Sequence, residues 1–100
     1  MFESWNILKI EYLSPGSPDV RTRVVAFMDL GAAEHLFSQL QLSYQFNAPV
    51  RVRGDEMITV KGLWLYQVSK FRRDDAIAAL KSGEGTLLAE ARGIDVELGP

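Results

Sequence analysis

The chain has no cysteine and a single histidine, His35. Disulfides, thiolate metal sites and cysteine nucleophiles are therefore excluded, and a typical zinc site has no second His or Cys to complete it. Proline is scarce as well, at 4 residues in 100, and 2 of these flank the Gly16-Ser17 turn. No apolar run exceeds a few residues, far short of the roughly 20 needed to cross a bilayer as a helix. The segment Met1-Phe2-Glu3-Ser4-Trp5 carries an acid in place of a basic leader, so no signal peptide is expected and the expected compartment is the cytoplasm. No membrane, metal or cofactor partner is expected.

What remains is an ordinary globular composition: 47% hydrophobic and 24% charged residues, with a formal net charge of -2. One hundred residues suffice for one core, and residues 1-100 are read as a single α+β domain. The charge is uneven. Residues 20 to 81 hold nine Lys/Arg against six acids, a balance of +3, while the two ends together carry -5. Such asymmetry bears on partners and solubility rather than on fold.

Periodicity places the elements. Trp5 to Leu13 reads as a strand that stops at Ser14-Pro15-Gly16-Ser17-Pro18-Asp19. Val20 to Met28 alternates, with Val24 and Ala26 facing one way and Arg21, Arg23, Val25 and Phe27 the other, so the two strands are expected to form a hairpin. Asp29 is a natural helix N-cap, followed by an apolar stripe of Leu30, Ala33, Phe37 and Leu40. Leu42 to Phe46 switches to period two and reads either as a brief strand or as an extended exit from the helix. Asn47-Ala48-Pro49 breaks the chain, Val50-Arg51-Val52-Arg53 is a short strand, and Gly54-Asp55 supplies a hairpin turn.

Met57 to Gly83 is the most informative stretch, a long apolar strand feeding a compact helix. Regular alternation puts Ile58, Val60, Trp64, Tyr66 and Val68 on one face and Lys61, Leu63 and Leu65 on the other, with Gly62 interrupting the core row as a bulge or a close backbone approach. Asp74 and Asp75 suit the start of a helix and Gly83 its end. Thr86 to Ala91 and Ile94 to Leu98 are two further strand candidates. From Val20 the order is strand, helix, strand, strand, helix, strand. The expected fold is thus α+β, an antiparallel sheet with two helices on one face: a ferredoxin-like βαββαβ core plus an N-terminal strand.

With both helices on the face of Val24, Val52, Val60 and Trp64, the opposite face would carry Arg21, Arg23, Val25, Phe27, Arg51, Arg53, Lys61, Leu63 and Leu65. An apolar patch rimmed by arginines marks an interface unless the N-terminal strand and Trp5 cover it. The first functional expectation is accordingly a non-enzymatic interaction domain, of inhibitor, adaptor or regulatory-subunit type, that binds a protein partner or forms a homodimer through this face.

A second reading uses the same face for single-stranded nucleic acid. Lys61-Gly62-Leu63-Trp64-Leu65-Tyr66-Gln67-Val68 resembles the third-strand signature of RNA-recognition motifs in its first two positions and its apolar character. That resemblance implies base stacking, but Leu63 and Leu65 stand where the stacking rings belong. A third reading is a small cofactor-free enzyme on a ferredoxin-like dimer, with His35 or a carboxylate as acid and base. No nucleophile elbow surrounds Ser38 or Ser43, and Gly83-Glu84-Gly85 follows a helix instead of opening one, so no catalytic residue is assigned. Arg53-Gly54-Asp55 spells an adhesion tripeptide but reads as a turn. Arg72-Arg73 reads as a solvated corner.

Overall fold

The computed structural model describes residues 3–93. The chain is α+β: β1 (Ser4–Leu13), β2 (Arg21–Phe27), α1 (Leu30–Phe46), β3 (Val50–Arg53), β4 (Glu56–Ser69), α2 (Arg73–Lys81) and β5 (Thr86–Glu90). The strand candidate Ile94 to Leu98 lies outside the described residues. All strand pairs are antiparallel.

β1 and β2 form the expected hairpin, with Leu8 opposite Val25 and Asn6 opposite Phe27. The strand order is β2-β1-β4-β3, and β5 also pairs with β4. This departs from the ferredoxin-like order, in which β2 would lie directly beside β4. β1 takes that place because it is the longest and most apolar neighbour available: Ile7, Leu8 and Ile10 are all buried, whereas every residue of β2 is half-buried or exposed, as suits an edge strand. β1 therefore lies between β2 and β4.

The two helices sit on opposite faces of the sheet, not on one. Ala33, Phe37 and Leu40 of α1 pack with Leu8, Ile10, Tyr12, Ile58, Val60, Leu63 and Leu65. Ala76 and Ala79 of α2 pack with Ile7 and Val68, flanked by Trp5, Val24 and Ala26. Since Ile7 and Leu8 are consecutive on one strand, their side chains leave on opposite sides. The apparent single helix-bearing face arises from treating β4 as regularly alternating. Glu11 pairs with Gly62 but Tyr12 pairs with Val60, which leaves Lys61 as an extra, unpaired residue. This β-bulge reverses the alternation, so that Leu63 and Leu65 share the α1 face with Ile58 and Val60, while Trp64, Tyr66 and Val68 face the other way.

At the bulge the sheet is also closely packed. A Cβ on Gly62 would lie 2.5 Å from Cη2 of Trp64 and 2.8 Å from Oε1 of Glu11, so only glycine lets the indole lie flat on the strand. The Lys9 ammonium stands 5.3 Å from the Trp64 ring centroid, and the indole N–H donates to Glu90 at 3.0 Å.

α1 runs through Phe46, so Leu42 to Phe46 is helix and neither a strand nor an extended exit. Asp29 caps its start by accepting from the amides of Gly31 and Ala32 at 3.3 and 3.2 Å. Its end is set by Asn47 in the left-handed region, at φ 50°, with Pro49 two residues on. Near that end, buried Ser43 accepts from the Val60 amide at 3.0 Å and donates to the Ala48 carbonyl. Val60 pairs with Tyr12 of β1 on one side but with neither β3 nor β5 on the other, where this hydroxyl supplies the acceptor for its amide. Ser43→Ala is therefore expected to cost about 1–3 kcal/mol of unfolding free energy, the penalty for orphaning a buried amide. Urea denaturation measures it, and an unchanged midpoint would remove the hydroxyl from this role.

Candidate functional site

The sheet curls, so that β2 and the β3–β4 hairpin, at opposite ends of the strand order, approach one another. They meet where Arg23 Nη2 and Glu56 Oε1 form an ion pair at 2.8 Å. α1 lies within the curl. This placement decides which of the expected interface residues reach solvent.

The apolar members do not form an open patch. Leu63 and Leu65 are 1% and 2% exposed, and Val25 and Phe27 are half-buried against the same cluster, all beneath α1. The four do share one face, as alternation in β2 and the bulge in β4 dictate, but the first helix covers it. A stacking surface of the kind implied by the RNA-recognition resemblance is covered with them. Neither β1 nor Trp5 supplies that cover, since Trp5 packs with the α2 cluster and its indole N–H donates to the Phe71 carbonyl at 3.2 Å. Lys61 is exposed on the bulge, where its ammonium donates to the Asn47 side chain.

The arginines are brought together in part. Arg23 and Arg53 line one cleft at the seam between β2 and β3, joined there by Arg73 from the first turn of α2. Arg51 lies on the far flank of β3 in a different groove, and Arg21 is exposed near the start of β2. The seam cleft has a volume of about 540 Å³, and Val24, Val25, Ala26, Ile77 and Glu56 complete its lining. Arg23 is held on two sides. Its guanidinium lies 5.1 Å from the Tyr12 ring centroid, donates to the Tyr12 hydroxyl at 3.4 Å, and is raised in pKa chiefly by its hydrogen bond to Glu56.

The groove on the other side of β3 is apolar. Leu36, Leu40, Leu42 and Phe46 of α1 face Pro49, Val50 and Val52 across a volume of about 620 Å³, with Arg51 also in the lining and no carboxylate there among the described residues. Leu42 and Phe46 are 56% and 64% exposed, one helical turn apart. No described strand pairs with the outer edge of β3, whose only ladder is to β4. The trough is thus lined on one side by an edge strand, β3.

Sequence periodicity missed this groove because Leu42 to Phe46 alternates as a strand does. The signal that finds it is Asn47 followed by Pro49, a helix-ending pair that carries α1 on to Phe46. Arg73 was missed because a corner between strand and helix reads as solvated.

His35 is exposed and shares a 3.3 Å contact with Gln39 one turn along α1. Among the described residues no group of three or more His, Cys, Asp or Glu is placed to hold a metal ion, and no helix is long and apolar enough to cross a membrane. No family model, curated protein or solved structure matches the chain.

Proposed function

We propose that the chain is a non-enzymatic protein-interaction domain whose partner lies along β3, in the groove between that strand and α1. One observation supports the reading above others: the two exposed apolar side chains Leu42 and Phe46 border a trough that also offers an unpaired strand edge. Strand addition uses both features, main-chain hydrogen bonds for affinity and alternate side chains inserted into pockets for specificity. The occupant is an extended segment of another protein, with apolar residues on its groove side and acidic residues on its other side. Charge argues for this choice. β3 carries Arg51 and Arg53 in four residues and no acid. Antiparallel pairing of β3 with its own copy would set arginine against arginine, which destabilises a ladder, whereas an acidic segment complements it.

The test is affinity capture with wild-type chain and with a Leu42→Asp/Phe46→Asp variant. Both substituted positions are largely exposed, so the variant is expected to keep its circular dichroism and melting temperature while losing the captured protein. At least a tenfold loss of binding to the purified partner is expected, since buried apolar anchors carry most of the energy of such contacts. A partner retained in full by the variant would overturn the assignment of the groove. Conversion of a wild-type dimer to a monomer by the same substitutions would replace the foreign segment with a second copy.

A further inference from the structure

The arginine cleft has a lining and a chemistry different from those of the groove. Arginines from three elements, Arg23 of β2, Arg53 of β3 and Arg73 of α2, line it, and among the described residues the one carboxylate in its lining is Glu56. Glu56 is already engaged by Arg23 at 2.8 Å, so two positive charges stand in excess over the lining's acid. Asp74 approaches Arg73 at 3.7 Å, but its side chain is wide open to solvent and outside the cleft's lining, where an ion pair is worth little. Val24, Val25, Ala26 and Ile77 form apolar walls, which lower the local dielectric and strengthen attraction for a charged ligand.

One further feature prepares the cleft for an anion. Arg23 is fixed by the Tyr12 ring and hydroxyl, so less side-chain freedom is lost when it binds. Glu56 itself shows the cleft's chemistry, a carboxylate oxygen received by a guanidinium.

We infer that the cleft formed by Arg23, Arg53 and Arg73 binds a ligand oxyanion group, a carboxylate or a phosphate, in competition with Glu56. The two sites share no lining residue except Val52's neighbours on β3, and Arg53 also belongs to the charge of that strand: loss of the groove's partner leaves the cleft standing, and failure of the cleft leaves the apolar groove in place.

Two probes separate the sources of such a group: inorganic pyrophosphate, and a tetraglutamate peptide with blocked ends. Each is titrated into isotope-labelled chain at low salt while the arginine Nε–H and backbone signals are followed. Shifts centred on Arg23, Arg53 and Arg73 are expected with at least one probe. Pyrophosphate alone identifies a phosphate site, the peptide alone a site for acidic side chains, and both together a general oxyanion site. Glu56→Gln removes the internal competitor and is expected to tighten binding roughly threefold or more, while Arg53→Ala and Arg73→Ala each weaken it by about five- to tenfold. These positions are exposed, and Lys81→Ala, which removes a positive charge at the other end of α2 and outside the cleft's lining, serves as the charge-matched control that binds both probes nearly as the parent does. No shift with either probe overturns the inference, as does binding that Glu56→Gln weakens or that both alanine variants leave unchanged.

Discussion

Leu65→Asp is expected to leave the chain unfolded, and Leu65→Ala to fold with a loss of about 2–5 kcal/mol in unfolding free energy. Leu65 is 2% exposed and packs with Leu8, Leu63 and α1, in the middle of the larger core cluster. An aspartate there would be an unpaired carboxylate in an apolar site, costing several kcal/mol beyond the lost packing, against a total stability of about 5–15 kcal/mol for a domain of this kind. Leu63→Asp is expected to behave in the same way. The contrast is Lys61→Asp, two residues earlier on the same strand. Lys61 is exposed and its one hydrogen bond is to a surface asparagine, so the change is expected to stay within about 0.5 kcal/mol. Circular dichroism and urea denaturation of the four variants decide the matter. A well-folded Leu65→Asp chain with a native melting temperature would mean that this face of β4 is open, and with it the interface first expected there.

That contrast also marks how far the fold is legible in the sequence. Local chemistry fixes the local elements well: Asp29 caps α1, Pro15 to Pro18 separate β1 from β2, Gly54 at φ 52° turns β3 into β4, and Gly83 at φ 91° follows the last turn of α2. Each of these acts within a few residues. Strand order is different, because the choice between β1 and β2 as the neighbour of β4 rests on which strand needs both faces buried, and that depends on where the helices go. The helices in turn follow the parity of β4, which one unpaired residue reverses.

The candidate sites divide along the same line. Arg23 and Arg53 are legible as exposed cations on alternating strands, and the structure brings them together. Their meeting with Arg73 is not legible, since it requires the sheet to curl until its two ends approach. Leu42 and Phe46 are hidden by an ambiguity of period, because over five residues a helix and a strand can present the same apolar pattern. The resemblance of Lys61 to Val68 to an RNA-recognition strand fails for a physical reason of its own: the bulge turns Leu63 and Leu65 inward.

Deletion of Lys61 is the second large test, and its expected result runs against the rule that a one-residue deletion in a central strand is ruinous. Val60 and Leu63 both face α1, and Gly62 faces away with Glu11. Removing Lys61 leaves Val60, Gly62 and Leu63 in plain alternation, so every side chain keeps its face and each pairing on either side of the bulge is retained. The chain is expected to fold, losing about 1–2 kcal/mol as the local twist relaxes and the contact to Asn47 disappears. Deletion of Trp64 has the opposite consequence. It would place Leu63 directly before Leu65, so that the residues on one side of the cut must turn inside out, exposing either Ile58, Val60 and Leu63 or Leu65 while burying their polar neighbours. No folded product is expected from it. Both variants can be followed by thermal melting and by amide exchange across β1 and β4. If the Lys61 deletion unfolds as completely as the Trp64 deletion, the bulge is not where the alternation reverses. The assignment of Leu63 and Leu65 to the α1 face would then have to be given up. If it folds with β1–β4 protection intact, a single surplus residue accounts for the helices lying on opposite faces of the sheet.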